Sequence, residues 1–420
     1  MKLACKGGLP VYQKPFQSYN TMGDEELEAV TRVIRSGKIS SFIGAWCKDF
    51  DGGTEVRAFE EAWAERFACR YAISVNSNTS GLIAAMGAVG VGPGDEVIVP
   101  PFSMSATVVA PLFYGGVPVF VDIEPDTFCL DLEKVKAAIT HRTRAIIAVD
   151  LFGHPAELQA LRQLADIRGI YLIEDAAQAP LAKENGRYAG TVGHIGVFSL
   201  NYHKHIHTGE GGICCTDDEE LALRLRAIRN HGENVVEPLG LANITNLVGF
   251  NFRMTELSAA IGLAQLKKID QLVDSRERIA NRLTQATRGL AGLKPPIVRD
   301  GCRHVYYVWS ARYDERQVGV SREKVVEALV AEGLPIHQGY VAPLYRLPLF
   351  QRRKAIGPSG WPFNLSDPCY EDGICPVAER MYEKELLEVH VCSHLFDEEE
   401  QQAVIDGFEK VFGNIEALQD

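Results

Sequence analysis

A lysine flanked by histidines stands in the segment Asn201–His207 (NYHKHIH), directly before Thr208–Gly212 (TGEGG). A lone lysine on a loop is ordinarily just a solvated charge. Lys204 is less ordinary, because it lies between histidines, opposite an acid-tipped strand and before Gly-Glu-Gly-Gly. Loss of water or a neighbouring cation would lower the pKa of its amine. The amine would then be a nucleophile of the kind that forms a Schiff base.

Three histidines accompany this lysine at a spacing of two residues: His203, His205 and His207. Such spacing on a loop is no standard frame for zinc ligands, so no metal is predicted. We expect these histidines, with Glu210, to contact substrate or to hydrogen-bond beside a cofactor.

Two acids end the apolar run in Tyr171–Pro180 (YLIEDAAQAP). Acids at a strand end can simply cap the following turn. In open α/β sheets, however, ligands bind beyond the carboxyl ends of the strands. Asp175 at such an end could keep a buried pyridinium nitrogen protonated, because a nearby anion favours the charged form.

A third polar segment, Val75–Gly90 (VNSNTSGLIAAMGAVG), ends a strand and opens a helix at Thr79 and Ser80. Hydroxyls and backbone N–H groups at a helix N-terminus suit a phosphate. Capping without a ligand is the alternative. Ser199, at the end of another strand, points to the same region of the predicted sheet.

Short apolar runs alternate with helical patterns through the first two thirds of the chain, which indicates a mostly parallel sheet with crossover helices. The predicted strands are 71–76, 96–100, 117–123, 145–151, 171–174, 196–200 and 212–215. The predicted helices between them are 55–68, 80–90, 132–139, 156–168 and 218–229.

A long helical pattern runs from Met254 to about Gly289 and is followed by a Gly- and Pro-rich stretch. We therefore predict a large domain of residues 1–288 and a small α+β domain of residues 289–420. In the small domain we expect a strand over 305–311, helices over 322–332, 377–387 and 398–412, and a long loop over 354–375.

Composition narrows the classes of protein that the chain can represent. Its 420 residues carry a net charge of −12, which disfavours binding to a phosphate backbone. The uncharged run Val97–Val121 is long enough to span a bilayer, but its prolines and glycines would break a spanning helix. Ten cysteines without a C-x-x-C pair favour reduced thiols in a cytoplasmic protein.

The order of these segments resembles the DegT/DnrJ/EryC1/StrS family of sugar aminotransferases, within the fold type I pyridoxal-phosphate superfamily. The resemblance covers nearly the whole chain. Its motifs include N-S-N-T-S-G from Asn76, G-P-G-D-E-V-I-V-P from Gly92, E-D-A-A-Q-A from Glu174, T-G-E-G-G from Thr208 and G-F-N-F-R-M-T-E from Gly249. It implies a seven-stranded, mostly parallel sheet in the large domain and pyridoxal 5′-phosphate (PLP) as cofactor.

The resemblance also implies roles for individual residues. Lys204 would hold the cofactor covalently, Asp175 would pair with its ring nitrogen, and Gln178 would contact its ring hydroxyl. The residues implied to bind the phosphate are Thr79, Ser80 and Ser199, with Asn251 reaching over from a partner subunit. The active sites would then be shared within a homodimer. Met104 stands where the family usually has an aromatic residue that stacks on the cofactor ring; we expect its thioether to pack against the ring instead, with Phe102 as the alternative.

The expected reaction transfers an amino group from L-glutamate or L-glutamine to a nucleotide-linked keto sugar. The N-terminal segment Gly7–Phe16 also resembles the branch that acts on cyclitols of the scyllo-inosose type, and a sugar phosphate is a further alternative. Relatives that dehydrate sugars carry histidine at the position of Lys204, which favours transamination here. A regulator without catalysis would need a lost lysine or a basic DNA-binding segment, and the sequence has neither.

Overall fold

The computed structural model describes residues 1–419. Up to residue 287 its strands are β1 (Tyr71–Val75), β2 (Glu96–Val99), β3 (Val117–Phe120), β4 (Thr143–Val149), β5 (Tyr171–Asp175), β6 (Lys183–Glu184), β7 (Arg187–Tyr188), β8 (Ile195–Ser199) and β9 (Gly212–Thr216). The helices of the same part are α1 (Asp24–Ser36), α2 (Thr54–Phe67), α3 (Asn78–Ala88), α4 (Ala106–Val109), α5 (Leu132–Ala138), α6 (Leu158–Arg168), α7 (Glu219–Arg229), α8 (Val236–Leu239), α9 (Glu256–Lys267) and α10 (Ile269–Thr287).

Seven of these strands form the central sheet in the order β1-β9-β8-β5-β4-β2-β3. Strands β3, β2, β4, β5 and β8 run parallel, and β9 pairs antiparallel with both β8 and β1. The predicted seven-stranded, mostly parallel sheet is confirmed. Its strands are nearly continuous apolar runs because helices cover both faces.

The carboxyl ends of β5 and β8 and the start of α3 meet at one edge of this sheet. Helix α3 begins after Ser77, whose Oγ accepts a hydrogen bond from the N–H of Ser80 at 3.0 Å. The helix then passes so close to β8 that a Cβ added at Gly81 would lie 2.5 Å from Cγ1 of Val197. Only glycine lets α3 approach the sheet this closely.

A second sheet follows in the last third of the chain. Its region contains β10 (Leu293–Lys294), β11 (Cys302–Arg303), β12 (Trp309–Tyr313), β13 (Ile336–Gln338) and β14 (Leu386–Val389), with α11 (Glu315–Val318), α12 (Arg322–Ala331), α13 (Pro348–Gln351), α14 (Pro376–Arg380) and α15 (Glu398–Phe412). The sheet order is β10-β12-β14-β13, and β11 instead pairs with β6.

The small sheet has a hydrophobic core of its own, to which Leu3 and Tyr12 of the N-terminal segment contribute. The buried carboxylate of Glu332 fastens that segment. It accepts hydrogen bonds from the N–H groups of Ala4 at 2.8 Å and Val11 at 3.1 Å and from Nζ of Lys410 at 2.7 Å. The domain boundary at residue 289 stays a prediction.

Two predicted elements differ from the structure. The helix expected from Met254 to Gly289 is two helices, α9 and α10, which meet at Lys268. The helix expected over 377–387 ends early and gives way to strand β14, because Leu386–Val389 pairs with both β12 and β13. Sheet pairing there overrides a helical pattern that a single sequence cannot distinguish from a buried strand.

The uncharged run 97–121 folds as β2, α4, a short 3₁₀ turn and β3, as predicted. Among residues 1–419, no helix has both the length and the apolarity needed to cross a membrane. The cysteines are all unpaired thiols in this described part of the chain.

Candidate active site

A cavity of about 160 Å³ opens at the carboxyl edge of the central sheet. Its lining combines residues from the ends of β4, β5 and β8 with residues from α3 and the loops beside them. The polar and charged members of the lining are Ser77, Asn78, Thr79, Ser103, Asp175, Gln178, Ser199, Asn201, His203, Lys204 and Glu210.

Lys204 lies on the loop between β8 and β9 and is only 8% exposed. Burial lowers the pKa of its amine to about 8, while the Asp175 carboxylate acts in the opposite direction. Its Nζ lies 4.3 Å from the centroid of the Tyr307 ring, which comes from the chain segment before β12. A buried amine with a lowered pKa is a nucleophile near neutral pH.

Asp175 ends β5 and is held from several sides. Its Oδ2 accepts a hydrogen bond from Oγ1 of Thr107 at 2.7 Å, and its Oδ1 accepts from Nδ2 of Asn78 at 3.2 Å. Burial raises the pKa of this carboxyl group, and these hydrogen bonds and Lys204 oppose that rise. The arrangement presents an oriented acid across the cavity from the lysine.

The first turn of α3 supplies hydroxyl and amide groups. Thr79 lines the cavity, whereas Ser80 is buried and its Oγ donates to Oδ1 of Asn76 at 2.6 Å. Within residues 1–419, Oδ1 of Asn78 is buried without a hydrogen-bond partner. Such an unpaired acceptor beside a cavity is expected where a ligand supplies the missing donor.

Gln178 connects the cavity to the small sheet. Its Oε1 accepts from the N–H of Phe152 at 2.7 Å, and its Nε2 donates to the hydroxyl oxygen of Tyr340 at 3.0 Å. Tyr340 also packs its ring against Phe152 at a centroid distance of 4.9 Å. One pocket wall is therefore built across the two sheets.

The loop histidines have different surroundings. His203 lines the cavity, whereas His205 is fully buried outside it, with Nε2 2.9 Å from the carbonyl oxygen of Val305. His207 also lies outside the lining, and its Nδ1 accepts from the N–H of Gly209 at 3.3 Å. Among the described residues, no group of three or more metal-ligating side chains is placed to hold a metal ion.

The remaining predicted site residues lie at the mouth or beyond it. Glu210 is exposed at the mouth, where its Oε1 accepts from Nδ2 of Asn201 at 2.8 Å. Met104 also lines the cavity, is 58% exposed, and accepts at Sδ from the N–H of Ala106 at 3.1 Å. Asn251 is exposed outside the cavity and forms an isolated β-bridge with Asn230.

Sequence reasoning missed four residues of this site: Asn78, Thr107, Tyr307 and Tyr340. Asn78 and Thr107 lie close in sequence to residues that were predicted, and a strand-end or helix-start position could have indicated them. The two tyrosines come from distant parts of the chain, and no local pattern brings them to Lys204 and Gln178.

These residues fit PLP, the cofactor implied by the sequence. A buried lysine faces an oriented carboxylate across the cavity, and the first turn of α3 offers the hydroxyl of Thr79 and backbone N–H groups, which suit a phosphate. Lys204 would hold the aldehyde carbon, Asp175 the ring nitrogen, and Thr79 with Ser199 the phosphate.

Comparison with known proteins gives one consistent picture. The profile of the DegT/DnrJ/EryC1/StrS aminotransferase family matches residues 20–409. The chain is 35% identical over 98% of its length to the L-glutamine:2-deoxy-scyllo-inosose aminotransferase of Streptomyces kanamyceticus, of which it covers 96%. It is 37% identical over 70% of its length to the GDP-perosamine synthase of Caulobacter vibrioides, of which it covers 79%.

Solved structures agree with this result. The fold superimposes on an aminotransferase from Psychrobacter cryohalolentis with a TM-score of 0.83 and 28% sequence identity. The match covers 96% of this chain and 100% of the other.

Proposed function

The chain belongs to the DegT/DnrJ/EryC1/StrS aminotransferase family, and from this premise we propose that it aminates the ketone of a sugar or cyclitol ring. As a member of the family it is a PLP-dependent aminotransferase. The proposal concerns the residues that carry out the transfer, the ring that is aminated and the assembly of the site.

One observation carries the assignment of the residues. Lys204 is a buried amine whose pKa is lowered to about 8, and it faces Asp175 inside a cavity that opens to solvent. When bound, PLP supplies the electron sink that lets an amino group leave one carbon and join another. Lys204 anchors that cofactor and, once released, moves a proton between the carbon of the donor and the cofactor.

The other residues of the site bind the cofactor and orient its ring. Asp175, fixed by Thr107 and Asn78, keeps the proton on the ring nitrogen, because its charge favours the protonated form. Thr79 and Ser199 hold the phosphate with the start of α3. Gln178 contacts the ring hydroxyl while Phe152 and Tyr340 fix its amide.

We further propose a homodimer in which Asn251 of one subunit reaches the phosphate in the other. Asn251 is exposed and lies outside the cavity of its own chain, so a role in binding requires a second copy. A shared site would make the dimer the smallest active unit.

Two ring classes compete as substrate. The perosamine synthase supports a nucleotide-linked keto sugar, but its match spans 70% of this chain. The inosose aminotransferase matches 98% of the chain, which supports a free cyclitol ketone and L-glutamine as donor. We favour the cyclitol, since the similarity then includes both ends of the chain.

The assignment of Lys204 is tested by replacing it. Lys204→Ala is expected to abolish turnover, the visible absorbance of the bound cofactor and borohydride labelling, because no amine remains to hold the aldehyde carbon. Lys136→Ala, at an exposed position in α5, is the control and is expected to retain all three properties. Full labelling and turnover in Lys204→Ala would refute the assignment.

Transamination is separated from dehydration by the product of the donor. An aminotransferase releases the keto acid of its donor, 2-oxoglutarate from L-glutamate or 2-oxoglutaramate from L-glutamine, in step with the aminated ring, whereas a dehydratase forms no aminated ring.

A further inference from the structure

Three polar side chains of the small sheet are connected to the cavity through Tyr340, which hydrogen-bonds to both Glu388 and Gln178, and the amino-transfer chemistry uses none of them. His337 lies in β13 and pairs in register with Glu388 of β14. Directly opposite side chains in a strand pair share one face of the sheet. His390 comes two residues after Glu388 and so returns to the same face. Together with His203 of the cavity wall, we call these residues the histidine site.

Glu388 orients the histidine site. Its side chain is fully buried, and its Oε1 accepts from the N–H of Tyr340 at 2.6 Å. Its Oε2 lies 3.0 Å from Nε2 of His390. Because a carboxylate only accepts, Nε2 of His390 is the donor in this hydrogen bond. The imidazole is therefore fixed in one orientation by a buried partner.

His390 interacts with both of the other histidines. Its ring centroid is 4.5 Å from that of His337. His203 is close enough for an electrostatic effect: burial, Lys204 and, to a smaller extent, His390 lower its pKa. The ring of His203 is in turn 6.1 Å from that of Tyr307, which lies over Lys204. The histidine site thus extends the cavity wall outward from the reacting amine.

The charge of this wall distinguishes between possible substrates. Burial lowers the pKa of His203 to about 4, and partial burial together with His390 lowers the pKa of the exposed His337, so both rings are neutral at pH 7. In the part of the cavity lining that one subunit contributes, Lys204 is the only lysine or arginine among the described residues, while Asp175 and Glu210 are acids. Diphosphates are bound best by charged donors such as arginine and lysine.

A neutral imidazole instead offers one donor and one acceptor, as a hydroxyl group does. We propose that the histidine site binds the hydroxyl groups of an uncharged, polyhydroxylated ring ketone and determines which ring is aminated. This inference rests on the proposed function. Sites built from oriented polar groups reject rings that cannot pair with them, because buried donors and acceptors are then left unsatisfied.

The first experiment compares two substrates on the holoenzyme. The enzyme is converted to its amino form with L-glutamine or L-glutamate and then titrated with scyllo-inosose or with a dTDP-linked 4-keto sugar. The returning absorbance of the aldehyde form gives the half-saturating concentration of each ketone. We expect that of scyllo-inosose to be lower by at least about tenfold.

The second experiment replaces the imidazoles. His203→Phe and His337→Phe keep a flat ring without polar atoms, and each should raise the half-saturating concentration of scyllo-inosose about tenfold. His203→Gln restores a donor and an acceptor and should recover most of the loss. His141→Phe, at an exposed position before β4, is the matched control and should change nothing. The thermal midpoint of each variant shows that it is folded.

The two experiments distinguish a failure of the histidine site from a failure of the proposed aminotransferase function. A lower half-saturating concentration for the nucleotide-linked sugar, or unchanged values in both phenylalanine variants, overturns the histidine site and leaves the aminotransferase intact. Failure of both donors to generate the amino form overturns the proposed function and the inference together.

Discussion

At Lys204 two effects act on one amine in opposite directions. Burial lowers its pKa to about 8, and the negative charge of Asp175 limits how far the pKa falls. At pH 7 about one amine in ten is then uncharged, against about one in three thousand for a solvated lysine with the ordinary pKa of 10.5. Burial therefore raises the reactive fraction about 300-fold.

This shift predicts a pH dependence in the cofactor-free protein. Labelling of Lys204 by an amine-directed reagent should rise with pH through a midpoint near 8, since only the uncharged amine reacts. Peptide mapping at a series of pH values gives the midpoint for each lysine. The exposed Lys136 serves as the internal control, and a midpoint for Lys204 that equals that of Lys136 would contradict the burial argument.

The charge of Asp175 leads to a second prediction, which concerns kcat. Asp175→Asn keeps the size of the side chain but removes its charge, so the ring nitrogen loses the partner that keeps it protonated. We expect kcat to fall at least about 100-fold, the usual scale for losing a preorganised charge. Asp406→Asn, on the exposed side of α15, should leave kcat unchanged. A kcat within about threefold of the wild type would remove Asp175 from the mechanism.

The position of helix α3 against the central sheet depends on a single glycine, Gly81. Gly81 lets the helix lie against β8, and Ser77 caps its start. The close packing at Gly81 and the cap from Ser77 together place Asn78 and Thr79 at the cavity. The position of the first turn of α3 is thus fixed by packing as well as by hydrogen bonds.

Replacing Gly81 by alanine sets two effects against each other. Alanine favours a helix by about 1 kcal/mol, but its Cβ would lie 2.5 Å from Val197, and overpacking costs about 1–3 kcal/mol. We expect a net loss of stability and a weaker affinity for PLP, measured by denaturant unfolding and cofactor titration. Gly92→Ala is the control, because its Cβ meets nothing closer than 3.8 Å. A stabilised Gly81→Ala protein with unchanged affinity would refute this packing argument.

The elements also show what sequence reasoning can reach. The strands around Asp175 and Ser199 were predictable because apolar runs ending in polar residues are local signals. Leu386 and Leu387 at the start of β14 were predicted as helix, since pairing with β12 and β13 is a long-range property. Tyr307 and Tyr340 were missed for the same reason, because the tertiary fold alone brings them to the cavity.

At the scale of the whole molecule, the active site depends on both sheets and, in our proposal, on a second subunit. Tyr340 and Tyr307 bring the small-sheet region to the cavity, and Asn251 is free to serve another copy. A monomer would then lack part of its phosphate site.

Mixing two inactive variants tests this sharing. In Asn251→Asp the new carboxylate repels the phosphate, and in Lys204→Ala the amine is absent. After subunit exchange, half of the dimers are mixed, and each mixed dimer has one intact site. We expect about a quarter of wild-type activity. Activity no greater than the average of the two parents would contradict a shared site.

The hydrogen bond from Gln178 to Tyr340 has one more consequence. It joins a side chain assigned to the cofactor's ring hydroxyl to a residue carried by the small sheet. In our proposal Gln178 contacts that hydroxyl, so a movement of the small sheet relative to the central sheet would displace its amide and shift the absorbance of the bound cofactor. Relative motion of the two parts of the enzyme could thus be followed by absorbance spectroscopy, without an attached dye.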